Sequence, residues 1–246
     1  MITMIKRVAW VIIAGACTSI AAVAETASLT EVAMPKAPTY RPPMPAMPKT
    51  RVDGHVRGTD DAVLTLTVLA PEHVGLTTKE QPSLYWFQSK AVSTRFELTI
   101  TEKTAVKPLL EARLEVPSGG IQRLRLSDYK VSLAEGVEYR WSVAMVVDPE
   151  NRSSDVVASG AIKRVKPTET LRRRLQGAPA SDLPYIYADE GVWYDSLETL
   201  SELVDARPQD AKLHEIRAIY FMQVGLHDAA MHEMRLAGKT VESQAR

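Results

Sequence analysis

Leu133-Ala-Glu-Gly-Val-Glu-Tyr-Arg-Trp-Ser-Val-Ala-Met-Val-Val147 is the stretch on which the fold turns. Tyr139, Trp141, Val143, Met145 and Val147 lie two apart. Successive side chains of a strand point to opposite faces, so these five share one face. The other face carries Arg140, Ser142, Ala144 and Val146. That mixture fits a strand buried on one side and partly covered on the other.

Similar alternation spreads outward on both sides. Val63-Leu-Thr-Leu-Thr-Val-Leu69 sets Leu64, Leu66 and Val68 against Thr65 and Thr67, and Pro71 stops it. A turn-rich run through Gly75 and Thr77-Thr78 leads to a second strand, Ser83 to Phe87. Residues 94–101 place Phe96, Leu98 and Ile100 together; Leu110, Ala112, Leu114 and Val116 alternate with Glu111, Arg113 and Glu115. Pro117-Ser-Gly-Gly120 reads as a turn, and Leu124 and Leu126 as a short strand with Arg123 and Arg125 outward. A last strand, Val156 to Val165, follows the 148–155 connection. About seven short strands with turn signals at this spacing predict a β-sandwich over residues 63–165. Leu133, Gly136 and Tyr139 have the spacing of a tyrosine corner, where a tyrosine at the start of a core strand bonds back to upstream backbone, as in immunoglobulin-like and fibronectin-like sandwiches.

The N-terminus reads as an address. Lys6 and Arg7 precede an apolar run, Val8 to Ala22, and Ala22-Val23-Ala24 is a small-residue cleavage signal. Residues 1–24 are therefore expected to be a signal peptide cut after Ala24, leaving no membrane span in an exported, periplasmic or extracellular protein. Cys17 is the only cysteine, so the mature chain would hold no disulfide. A competing reading makes Cys17 a lipid-bearing N-terminus, because Ala14-Gly15-Ala16-Cys17 loosely resembles a lipobox. The whole chain of 246 residues carries 30 basic and 30 acidic side chains, a balance that argues against nucleic acid as a partner. Residues 25–62 hold Pro35, Pro38, Pro42, Pro43, Pro45 and Pro48 and show little periodicity. Proline fixes φ and removes a donor, so this segment is expected to be an extended spacer, or in a sharper reading a docking peptide with PxxP-like spacing. His55 to Arg57, between Gly54 and Gly58, reads as a loop before Asp60 and Asp61.

Past residue 165 the period changes to that of helices. Pro167 and Thr168 open one carrying Leu171, Leu175 and Arg172-Arg173-Arg174, a solvated face or a patch for an anion. A segment from Tyr185 to Gly191 follows. Trp193, Leu197, Leu200 and Val204 mark the next helix, ended by Pro208; Leu213, Ile216, Tyr220 and Val224 mark another, with Gly225 as its cap, and a last begins near Asp228. Tyr194-Asp195-Ser196-Leu197 echoes His227-Asp228-Ala229-Ala230, at a period resembling a tetratricopeptide repeat. Residues 166–246 are thus expected to form a small C-terminal helical module after a mainly β domain.

The ordered set Leu69-Ala-Pro71, Gly75-Leu-Thr77, Pro82, Trp86-Phe87, Tyr139-Arg-Trp141, Asp148-Pro149, Asn151-Arg-Ser153 and Asp155, with Gly191, Trp193-Tyr-Asp195, Leu197 and Leu200, resembles an exported bacterial family, the domain of unknown function 928. The resemblance covers roughly residues 63–235. It implies export and these fold boundaries, and it carries over no catalytic residue.

The chemistry legible in the chain is sparse. His227 and His232 are five apart, where a helix would place metal ligands three or four apart, and HExxH, G-x-S-x-G, Walker and dinucleotide patterns do not occur. No cofactor, metal site or catalytic residue is assigned. Asp189, Glu190 and Asp195 offer carboxylates for glycoside chemistry, or serve as acids at helix N-termini. Asp148, Glu150, Asn151, Ser153 and Asp155 offer oxygens to calcium, or fold their own turn with Asp155 pairing to Arg152. Asp148, Asn151, Arg152 and Asp155, with Trp193 and Tyr194 beside the second acid set, are the candidate binding residues. The expected function is non-enzymatic binding of another envelope protein or peptide. The alternatives are an envelope enzyme acting on cell-wall or carbohydrate material, and a calcium-stabilised structural protein.

Overall fold

The central stretch forms a strand whose tyrosine and tryptophan both point inward. The computed structural model of the chain describes residues 36–43, 48–57, 63–116 and 118–238. The expected signal segment, Cys17, Ala24 and the acids Asp60 and Asp61 lie outside them. Nine strands are present among the described residues: β1 (Gly54–Arg57), β2 (Val63–Val68), β3 (Gly75–Thr77), β4 (Ser83–Gln88), β5 (Arg95–Glu102), β6 (Leu110–Glu115), β7 (Gly120–Arg125), β8 (Glu138–Met145) and β9 (Val156–Arg164). Five helices follow: α1 (Glu169–Leu175), α2 (Leu183–Asp189), α3 (Trp193–Ala206), α4 (Ala211–Met222) and α5 (His227–Leu236). None is long and apolar enough to cross a membrane among the described residues.

The strands make two sheets. One has the order β1-β2-β4-β7, the other β3-β9-β8-β5-β6, and every ladder is antiparallel except β3 with β9. Leu64, Leu66, Val68, Leu84, Trp86 and Leu124 of the first sheet share a core with Phe96, Leu98, Ile100, Tyr139, Trp141 and Val143 of the second. Burying each such side chain is worth about 1.5–3 kcal/mol, and this burial holds the β-layers together. The tyrosine hydroxyl does bond back upstream: the Ala134 N–H donates to Tyr139 Oη at 3.1 Å, with Leu133 buried and Gly136 at φ +78° between them.

Several strand ends shift by one residue from expectation, and four departures change the reading. β8 ends at Met145, so Val147 leaves the shared face and is 50% exposed, while Val146 turns inward. Leu126 opens a 3-10 turn instead of finishing a strand. Gly54–Arg57, expected as a loop, is strand β1, and the turn-rich run at Gly75 contains β3. Both are too short to show alternation, and their backbone partners exist only in the folded chain.

The helices form the third layer. All six residues of β4 are buried, because one face looks into the β-core and the other meets helices. The Ser83 N–H and hydroxyl donate to Glu198 of α3, Phe87 meets the His232 ring of α5 at 5.4 Å, and Arg123 pairs with Asp205 at 3.1 Å. At the N-terminus of α3, the Trp193 indole N–H donates to Leu69 O, and the Tyr194 hydroxyl reaches β8 and β9 of the five-stranded sheet. A Cβ on Gly75 would lie 2.6 Å from the Tyr194 ring, so that close approach requires glycine. The helical segment thus shares one hydrophobic core with the strands, and the described residues form a single compact unit.

The proline-rich segment is also bound in. The Tyr40 N–H donates to Gln223 Oε1 at 2.8 Å, Gln223 Nε2 donates to Pro38 O at 2.7 Å, and the Arg41 N–H donates to Ala188 O at 3.0 Å. The Tyr40 ring stands edge-on to Trp193 at 5.1 Å, and Trp193 stacks on Tyr220 at 4.6 Å. Residues 36–43 are therefore a docked strap, not a free spacer. A proline-rich chain cannot make its own ladder, so its few polar backbone groups are satisfied by the helices.

Candidate functional site

The outer face of the five-stranded sheet is built by alternation. Phe96, Leu98 and Ile100 point inward on β5, so Glu97, Thr99 and Thr101 point out. Register sets Glu97 between Arg113 of β6 and Ala144 of β8, and Thr99 between Glu111 and Ser142. The loop joining β8 to β9 then swings Arg152 over this face. Its guanidinium donates to Glu97 Oε2 at 2.6 Å and to Asp155 Oδ2 at 2.6 Å. Hydrogen bonds to Glu97 and then Asp155 raise the Arg152 pKa further. Glu97, Leu98, Thr99, Glu111, Ala112, Arg113 and Arg152 line a cleft of about 610 Å³.

This cleft takes up Arg152 of the loop residues read from the sequence. The others fold the loop itself. Asp148 Oδ1 accepts from the Glu150 N–H at 2.9 Å, the Asn151 N–H donates to Asp148 O at 3.1 Å, and the Ser153 hydroxyl donates to Asn151 Oδ1 at 2.5 Å. Asp155 spends one oxygen on Arg152, and its other oxygen is buried without a hydrogen-bond partner. The loop oxygens therefore make Asx-type turns and an ion pair rather than converging on one point. Among the described residues no group of three or more His, Cys, Asp or Glu side chains is placed to hold a metal ion.

Trp193 and Tyr194 lie elsewhere and are wholly buried. The Tyr194 hydroxyl accepts from the Trp141 indole N–H at 2.8 Å and donates to Ala161 O at 3.0 Å, which joins helix to sheet. Burial raises the Tyr194 pKa. Asp195 is buried too: its carboxyl accepts from the Thr78 N–H at 3.1 Å and the Thr78 hydroxyl at 2.6 Å. Burial raises the Asp195 pKa, against the lowering effect of those threonine hydrogen bonds and of Lys79. Asp189 instead pairs with Arg41 at 2.8 Å and Arg174 at 2.6 Å, and Glu190 pairs with Arg174 at 2.7 Å. Asp189 and Glu190 thus share Arg174 while Asp195 is held apart by Thr78, and two arginines of the basic run are taken: Arg174 here and Arg172 by Glu169 at 2.7 Å.

Two clusters escaped sequence reading. His73, on the loop after β2, has Nε2 2.9 Å from the Tyr40 hydroxyl and borders a 390 Å³ cleft against Gln223 and Gly225; burial lowers its pKa. In the helices, the wholly buried Glu233 accepts from Arg217 at 2.8 and 3.0 Å, and its Oε2 lies 2.7 Å from His214 Nδ1. The spacing of His214 and Arg217, three apart on α4, was the one available signal. Both clusters bind elements to each other.

Two sheets and five helices around a shared core define a mixed α/β protein whose accessible polar cleft lies on a sheet face. The chain belongs to the family Domain of Unknown Function (DUF928), whose profile matches residues 52–234. The match begins ahead of the first strand expected from the sequence, and so takes in β1. No curated protein matches the chain.

Proposed function

We propose that the protein is an exported, non-enzymatic binding module that grips another envelope protein or peptide on the outer face of its five-stranded sheet. The observation that carries this reading is the cleft over β5 and β6, where Glu97, Thr99, Glu111, Arg113 and Arg152 expose donors and acceptors of both signs. A few placed polar groups over a larger surface give orientation and specificity to a polypeptide partner. Lys6, Arg7, the apolar run to Ala22 and Ala22-Val23-Ala24 support export.

The finer fold reading belongs with this proposal. The order β2-β4-β7 against β9-β8-β5-β6, with Tyr139 near the start of β8, is consistent with a fibronectin-like sandwich. The helix pairs α2 with α3 and α4 with α5 are consistent with one and a half tetratricopeptide-like units packed on it.

The test is affinity capture from envelope extract with immobilised residues 25–246, wild type beside Thr99→Arg. The arginine fills the cleft from an outward-facing position. The expected result is one specific partner, whose recovery falls about tenfold or more with Thr99→Arg at an unchanged melting temperature. Equal recovery by the two proteins defeats the proposed surface.

A further inference from the structure

β6 ends its sheet: among the described residues its one ladder is with β5, and its other side carries no partner strand. The opposite edge strand, β3, has only three residues and packs against α3, and the rest of β9 beside it exchanges hydrogen bonds with Val52. On β7, α5 approaches closely enough that a Cβ on Gly120 would meet His232 at 3.1 Å. Natural proteins blunt a free edge with charged side chains, proline or a bulge. Leu110–Glu115 contains no proline or lysine, and its charges, Glu111, Arg113 and Glu115, are of both signs, so they repel a partner only in the registers that oppose like charges.

The sequence of that edge reads as its own complement. Leu110-Glu111-Ala112-Arg113-Leu114 runs apolar, acidic, small, basic, apolar. In an antiparallel pair, residues directly opposite share a face. A two-fold axis through Ala112 therefore sets Glu111 of one copy opposite Arg113 of the other, twice. It also sets Leu110 opposite Leu114, twice, and Ala112 opposite itself, and leaves Glu115 opposite Leu109 only at the two ends of the ladder, beyond the five paired residues. The leucines, half-buried and packed against the core, would extend the apolar layer. Glu111 and Arg113 are exposed, and neither makes an ion pair with another described residue. Glu97, across the strand from Arg113, is already taken by Arg152 at 2.6 Å and Arg95 at 3.3 Å.

Other registers are poorer. An axis through Leu114 also opposes Arg113 to Glu115 twice, but it lies one residue from the end of the strand. It pairs only residues 113–115 within β6, against 110–114 about Ala112, and it leaves Glu111 without a role. An axis through Arg113 opposes Arg113 to itself and Glu111 to Glu115. An axis through Glu111 opposes Glu111 to itself. A half-residue shift places the leucines opposite charged side chains. We infer that the β6 edge is a self-association surface, on which a second copy of this chain pairs antiparallel about Ala112 to continue the five-stranded sheet across a two-fold axis. The interface is isologous, as a closed dimer requires, and its small area makes it weak and concentration-dependent. This goes beyond the partner-binding proposal and does not depend on it.

The experiment is sedimentation equilibrium of purified residues 25–246 at low ionic strength, for wild type, Glu111→Arg, Arg113→Glu and the double swap. Wild type is expected to dimerise reversibly. Each single reversal, which opposes like charges at two symmetric positions, is expected to weaken the dimer about tenfold or more. The swap restores complementarity and is expected to return association to within about threefold of wild type. Measured at a concentration where all four are monomeric, the melting temperatures of wild type and Glu111→Arg should agree. The two proteins carrying Arg113→Glu should melt slightly lower, because that change sets a second glutamate opposite Glu97 within the monomer. A wild type that stays monomeric at its highest soluble concentration overturns the inference, as do single variants that associate like wild type or a swap that does not recover. Should a variant fail to fold, amide exchange of wild type decides the matter: protection over Leu110–Glu115 must rise with protein concentration, and concentration-independent exchange overturns it.

Discussion

Replacing Tyr194 by phenylalanine removes one oxygen and isolates the joint between helices and sheets. That hydroxyl accepts from the Trp141 indole N–H at 2.8 Å and donates to Ala161 O at 3.0 Å, in a place with no solvent access. The indole has a single N–H, so the substitution leaves it buried and unpaired, which costs about 1–3 kcal/mol. Losing the second bond adds about 0.5–1.5 kcal/mol. A total of about 1.5–4.5 kcal/mol should lower the melting temperature of a unit this size by roughly 3–18 °C. The assay is thermal unfolding followed by far-ultraviolet circular dichroism and by tryptophan fluorescence. Both probes should report one transition, because Trp141, Trp193 and Tyr194 sit in one core cluster. In a Trp141→Phe background there is no indole N–H to orphan, so the cost of Tyr194→Phe should shrink by more than half. A shift of less than about 1 °C for Tyr194→Phe would refute this account. So would two separate transitions for the β-layers and the helices.

Asp195→Asn tests the buried carboxyl. Burial raises its folded pKa above the unfolded value, so the neutral form favours folding, and that stability is lost as pH rises from about 4 through the raised folded value. The asparagine variant lacks this loss. Its melting temperature relative to wild type should climb between about pH 4 and pH 7, and a constant difference across that range would contradict the assignment. Gly191→Ala tests the strap: Gly191 has φ +75°, and an added Cβ would sit 2.6 Å from Arg41 O. Left-handed strain alone costs about 1–2 kcal/mol, and residues 36–43 should become sensitive to limited proteolysis; unchanged cleavage and melting would show that the strap is not held there.

The placement of Glu97, Arg113 and Arg152 shows where reading from the sequence stops. Outward positions on β5 and β6 follow from alternation, because Phe96, Leu98, Leu110 and Leu114 mark the inward ones. The meeting of Arg152 with Glu97 does not, since those residues are 55 apart in the chain and only the ladder between β5 and β8 brings the loop across. Trp193 and Tyr194 illustrate the opposite case. Their sequence marked them as important, and an aromatic pair beside acids suits a ligand site as well as a core. Burial against Leu69, Trp141 and Ala161 is a property of the packed helix, and it gives both side chains a structural task.

What the amino-acid order determined by itself is whatever depends on local periodicity. That includes the longer strands, the two-apart burial of Tyr139, Trp141, Val143 and Met145, the caps at Thr168 and Gly225, and the change from strand to helix after residue 165. What only tertiary structure decided is whatever rests on partners distant in the chain. β1 and β3 are too short to announce themselves, and residues 36–43 have no period. Each is ordered because its backbone donors and acceptors find mates on β2, β9, α2 or α4. The physical reason is that side-chain alternation is written within a segment, whereas backbone hydrogen bonding is satisfied between segments and leaves no local pattern to read.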